Sequence, residues 1–98
     1  MELRKALRGL EAVTAVRRRY SVKRIAVFGS VARDEANQGS DLDLLVEFEP
    51  GARIGLFEFV RLKRALSEIV GCEADLVTAE ALRVEMRDQI LREAVYAA

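Results

Sequence analysis

Histidine and tryptophan are absent from this chain, and cysteine and proline occur once each. Without histidine there is no imidazole to ligate zinc, no Ser-His-Asp triad and no histidine general base. Cys72 has no partner in the chain, which excludes an intrachain disulfide framework. No apolar run approaches the ~20 residues that a membrane-crossing helix needs. The charged start MELRKALRGL lacks the apolar stretch of a secretory leader, so a cytoplasmic protein with no membrane partner is expected. What is present is 98 residues, 51% of them apolar, with no net charge. That combination excludes disorder. It predicts a single domain over residues 1–98, with one modest core and roughly 60–65% of the unfolded surface buried.

The charge is balanced overall but not along the chain. Residues 1–24 carry eight basic side chains against two acidic ones, and residues 25–98 carry eight against fourteen. A solvated helix face explains much of the basic start. The arginines Arg17, Arg18 and Arg19 also suit the negative end of a helix dipole. The asymmetry further places a basic surface beside an acidic site. With only Tyr20 available for stacking and no recognition motif, specific nucleic-acid binding is not expected.

Hydrophobic periodicity predicts the elements. Leu3, Leu7, Leu10, Val13 and Val16 recur at helical spacing, which predicts one helix over residues 2–20. A motif-bearing core follows over 22–95. Residues 24–28 read as a buried strand stopped by Gly29 and Ser30. Residues 31–35 read as a short helix with Ser30 as its cap, and 37–40 as a turn. From Ser40 to Glu49 the residues alternate. Leu42, Leu44, Val46 and Phe48 share one face, with Asp41, Asp43 and Glu47 on the other and Leu45 as an exception among them. A helix over 55–70 carries the stripe Phe59, Leu62, Leu66 and Ile69, and Gly71 stands where a helix-ending glycine belongs. Residues 73–77 read as a strand. A last helix over 79–95 has Thr78 as its cap and buries Met86, Ile90, Ala94 and Val95. The four phenylalanines and Cys72 read as core. Strands alternating with helices predict an α/β (α+β) layer fold, a small mixed sheet flanked by helices.

One segment carries chemistry. A Gly-Ser pair between a strand and a helix presents backbone N–H groups and a hydroxyl at a helix N-terminus, where phosphate oxygens bind well. Twelve residues past Gly29, Asp41 and Asp43 leave the same face of a strand. Two carboxylates held close repel each other unless a cation intervenes, and Mg²⁺ takes one or two carboxylates together with water and phosphate. Aspartates are also poor strand formers, and such breaches of local preference tend to mark sites.

These residues resemble the motif of the minimal nucleotidyltransferases, small members of the DNA polymerase beta superfamily: Gly-Ser, ten residues, then Asp-x-Asp. Glu73-Ala-Asp75-Leu-Val resembles the strand that brings the third carboxylate of that family. The resemblance implies the polymerase-beta-like nucleotidyltransferase fold. It places the nucleotide on Gly29, Ser30 and Arg33, and Mg²⁺, as two ions, on Asp41, Asp43 and Asp75. It implies ATP as donor, with AMP passed to a tyrosine of a HEPN-domain ribonuclease toxin encoded next door, so that the chain acts as antitoxin. Two other functions stay open, namely a non-catalytic antitoxin that masks its toxin sterically and nucleotidyl transfer to a small molecule. Self-association stays open as well. The third acid is also contested. Glu73 and Asp75 are two apart and share a face, and Asp75 is preferred as the deeper of the two.

Overall fold

The computed structural model describes residues 2–33, 35 and 41–97. The expected turn over 37–40 lies outside them. The chain opens on two helices, α1 (Leu3–Glu11) and α2 (Thr14–Arg19), where one was expected over 2–20. The break falls at Ala12 and Val13. Ala12 bonds back to Gly9 O in a tightened last turn, and Arg17 N restarts the ladder on Val13 O at 2.9 Å. Val13 is 4% exposed, so the kink sends a β-branched side chain into the core rather than leaving it on a helix flank.

Next come β1 (Val22–Phe28), α3 (Gly29–Ala32), β2 (Leu42–Phe48), α4 (Leu56–Val70) and β3 (Ala74–Thr78). A 3₁₀ turn (Ala79–Ala81), α5 (Val84–Glu93) and β4 (Val95–Tyr96) complete the chain. The sheet is mixed, in the order β3-β2-β1-β4. β1 runs antiparallel to β2 and β4, and β2 runs parallel to β3, with α4 as the crossover.

One face of this sheet supplies the main core. Ile25, Val27, Leu42, Leu44, Val46, Ala74 and Leu76 pack with Leu10 and Val13 and with Leu62, Leu66 and Val70 of α4. Each fully buried Leu or Ile contributes about 1.5–3 kcal/mol. The stripe on α4 continues to Val70 rather than Ile69, which is 40% exposed. Gly71 ends α4 in the left-handed region at φ 78°, as expected.

The chain's last elements depart furthest from the sequence reading. Thr78 does cap, but it caps the 3₁₀ turn, accepting from Ala81 N at 3.3 Å. α5 then starts only at Val84 and stops at Glu93, and Val95 and Tyr96 extend to pair with Val27 and Ala26. Met86 is exposed as a result, and only Ile90 of the expected four is fully buried. Phe57 is likewise exposed rather than core. The second face of the sheet holds Ala26 and Leu45, both buried. Leu45 shares a cleft with Leu91 of α5 and with Tyr96. An apolar residue on the polar side of β2 is thereby explained, because α5 and β4 cover it.

Candidate active site

Three strands bring the site together in one line. The β2 partner of Phe28, the last residue of β1, is Asp43, and the β3 partner of Asp43 is Asp75. Neighbouring strands lie about 4.8 Å apart, and residues in register send their side chains to the same face. Asp43 and Asp75 therefore stand side by side, on the face that also carries Leu45. Asp41 sits one residue before β2, exposed, and its charge reaches Asp43. Burial, followed by the charges of Asp75 and Asp41, holds the Asp43 carboxyl above the usual carboxylate range. The Arg33 guanidinium pulls the other way.

Glu73, the rival third acid, precedes β3 instead of lying within it. Its carbonyl accepts from Leu42 N, and its side chain meets Lys63 Nζ of α4 at 3.9 Å. The strand begins one residue later than expected, at Ala74, which leaves Asp75 inside it and Glu73 at its entrance.

Gly29 is needed here for two reasons. Its φ of +73° lies in the left-handed region, and a Cβ built on it would fall on Asp43 Oδ2 and lie 3.1 Å from Asp43 Cγ. The glycine is thus the space into which the carboxylate fits. Ser30 is half-buried inside the first turn of α3 and does not cap it. The capping position belongs to Phe28, and among the described residues no side-chain capping bond is made to the leading N–H groups. Those donors open beside Gly29, at the start of the helical turn.

Arg33 follows α3 and faces two acids. Its Nε donates to Glu35 Oε2 at 3.0 Å and its Nη1 to Glu93 Oε2 at 3.1 Å. Glu93 lies sixty residues away, at the end of α5. No local pattern in the sequence marks it, since the pairing depends on where α5 stops.

The donor chemistry suits a hard divalent cation. The acids at the site offer oxygen only, and Asp43 is held up first by burial and then by the charges of Asp75 and Asp41, which a bound cation would offset. Among the described residues no group of three carboxylates is gathered tightly enough to enclose a metal ion alone. Mg²⁺ does not require such a cage, since it keeps waters and takes phosphate oxygens alongside one or two carboxylates. A separate open groove of about 790 Å³ lies at the far end of β2 and β3, lined by Phe48, Ile54, Phe59, Leu76 and Glu80 among others, and none of Asp41, Asp43 and Asp75 lines it.

Comparison with known proteins shows the family. Residues 11–97 match the nucleotidyltransferase domain. The protein adenylyltransferase MntA of Thermococcus cleftensis is 40% identical over 81 residues, 83% of this chain and 80% of that one. A solved structure provisionally assigned as a minimal nucleotidyltransferase superimposes with TM-score 0.79 at 44% identity, covering 97% of this chain and 95% of the other. A complex of a tri-AMPylated Shewanella oneidensis HEPN toxin with an MNT antitoxin contains a chain of the same fold. Its TM-score is 0.66 at 15% identity, covering 95% of this chain and 71% of that one. The chain belongs to the nucleotidyltransferase family, among its minimal members, and is an enzyme of that class.

Proposed function

We propose that this chain transfers AMP from ATP to a tyrosine hydroxyl of a HEPN-type toxin, and so acts as its antitoxin. The observation that carries the reading is Asp43 set in register between Phe28 and Asp75 across three strands, with Gly29 directly after Phe28 leaving room for its carboxylate. In the reaction the tyrosine oxygen bonds to the α-phosphorus, the α–β phosphoanhydride bond breaks, and pyrophosphate leaves. The open N–H groups at Gly29 and Ser30, with Arg33 behind them, hold the triphosphate. Asp75 takes the proton of the incoming hydroxyl. Asp41, Asp43 and Asp75 are the residues that would hold Mg²⁺, which neutralises phosphate charge when bound. The relatives named for protein adenylylation and for a toxin complex support this acceptor class.

The test is incubation of the chain with α-labelled ATP, Mg²⁺ and the HEPN-type protein encoded beside it. Label should pass to a tyrosine of that protein with release of pyrophosphate. A tight complex without transfer would replace this reading with steric masking.

A further inference from the structure

Arg33 is the cation closest in role to the phosphates, yet nothing on its own helix fixes it. α3 spans only Gly29–Ala32, and Arg33 is the residue where its ladder ends. A flexible arginine at the end of a four-residue helix would lose considerable side-chain entropy on gripping a phosphate. Of its two acidic partners, Glu35 is a poor anchor, because its side chain is 63% exposed. Glu93 differs, since its side chain is 24% exposed and both its oxygens are engaged. Oε2 takes Arg33 Nη1 at 3.1 Å, and Oε1 takes Gln89 Nε2 at 3.3 Å. Gln89 and Glu93 are four apart on α5, so their contact follows from the helix itself. Pairing of β4 with β1 straight after Glu93 then fixes where that helix ends.

We infer that Glu93 is a positioning residue for nucleotide binding: with Gln89 behind it, it holds the Arg33 guanidinium beside Asp43, ready for the triphosphate. The inference rests on the reading of Arg33 as a phosphate ligand and adds α5 to the nucleotide site. Arg33 has five N–H donors, so holding two carboxylates leaves donors for phosphate. An arginine already aimed gives up less freedom on binding.

Two quantities distinguish this from a structural tie between α3 and α5. Affinity for Mg²⁺ with the non-hydrolysable analogue AMP-CPP, measured by calorimetry, should fall roughly tenfold in Glu93→Gln and less in Gln89→Ala, as for one lost charge-assisted bond. In adenylyl transfer, KM for ATP should rise with kcat nearly unchanged. In an Arg33→Ala background, Glu93→Gln should cost no further affinity, because the residue acts only through Arg33. Gln89→Ala keeps the test open should Glu93→Gln fold poorly. Wild-type binding with unchanged affinity in both α5 variants overturns this inference alone, as does an equal loss with and without Arg33. Failure of the wild-type chain to bind the nucleotide overturns the functional reading and this inference together.

Discussion

Gly29→Ala tests the site at its tightest point. Two separate costs follow from the structure. At φ +73° an alanine sits in the left-handed region, at a cost of about 1–2 kcal/mol. Its Cβ would also overlap Asp43 Oδ2 and crowd Asp43 Cγ at 3.1 Å and Cβ at 3.3 Å. A turn of the carboxylate alone does not clear the contacts to Cγ and Cβ, so the aspartate must leave its rotamer, at about 0.5–1.5 kcal/mol more. The expected total is about 1.5–3.5 kcal/mol, a Tm drop of roughly 6–28 °C for a domain of this size. Differential scanning fluorimetry and urea titration measure it. In an Asp43→Ala background the overlap with the carboxylate is gone and only the 3.3 Å contact with Cβ stays, so the Gly29→Ala penalty should fall toward the backbone part, about 1–2 kcal/mol. Equal penalties in both backgrounds would refute the placement of Asp43 over this glycine. Adenylyl transfer should be lost in Gly29→Ala even at temperatures where the variant is fully folded, because the displaced acid is a site residue.

Asp43→Asn should abolish transfer and raise Tm at neutral pH in metal-free buffer. A carboxyl held above its ordinary range favours the folded state while protonated, and that contribution is lost as pH rises through the raised value. Metal-free wild type should therefore lose stability from acidic toward neutral pH, and Asp43→Asn should flatten that fall. Equal pH profiles for the two proteins would contradict the burial and charge assigned to Asp43. Asp75→Asn should lower single-turnover transfer at least a hundredfold, on the order expected for loss of a positioned base, whereas Glu73→Gln, on a side chain that meets Lys63, should change it little. The reverse ranking would move the third acid. Among the basic residues of α2, Arg17 is structural, with Nη2 donating to Lys23 O at 2.6 Å, while Arg18 and Arg19 are exposed. Reversing Arg18 and Arg19 to Glu should slow partner association more at low salt than at high, and a salt-independent effect would argue against a docking role.

Element types were legible wherever one periodicity ran uninterrupted. The alternation from Leu42 to Phe48 predicted β2, and the Phe59–Leu62–Leu66 stripe with Gly71 behind it predicted α4 nearly to the residue. Reading failed where tertiary contacts overrode the local pattern. The apolar spacing from Leu3 to Val16 fits one helix, but packing on both α4 and β1 needs two directions, so the chain bends at Val13. Residues 94–96 have no strong strand signal of their own, and they extend because the free edge of β1 offers backbone partners at Ala26 and Val27. The same edge pairing accounts for Leu45. Its apolar side chain stands among acids because it shares a cleft with Leu91 of α5 and Tyr96 of β4.

The site divides along the same line, and its physical reason is register. Gly29 ends one strand, and Asp43 lies opposite Phe28 on the next, so the connection between them must return the chain to within one residue of where it left. The fixed spacing between Gly-Ser and Asp-x-Asp records the length of that return. A motif of this kind is readable because both of its ends lie on one antiparallel pair. Asp75 was harder to choose over Glu73, since its place depends on a parallel register that a helical crossover sets and the local sequence does not. Glu93 was invisible. Its contact with Arg33 depends on where α5 stops, two residues earlier than its periodicity suggests, with β4 pairing with β1 straight after. The legible part of the site is therefore the part encoded in strand spacing. The part that aims the arginine is encoded in how the chain's end closes the sheet.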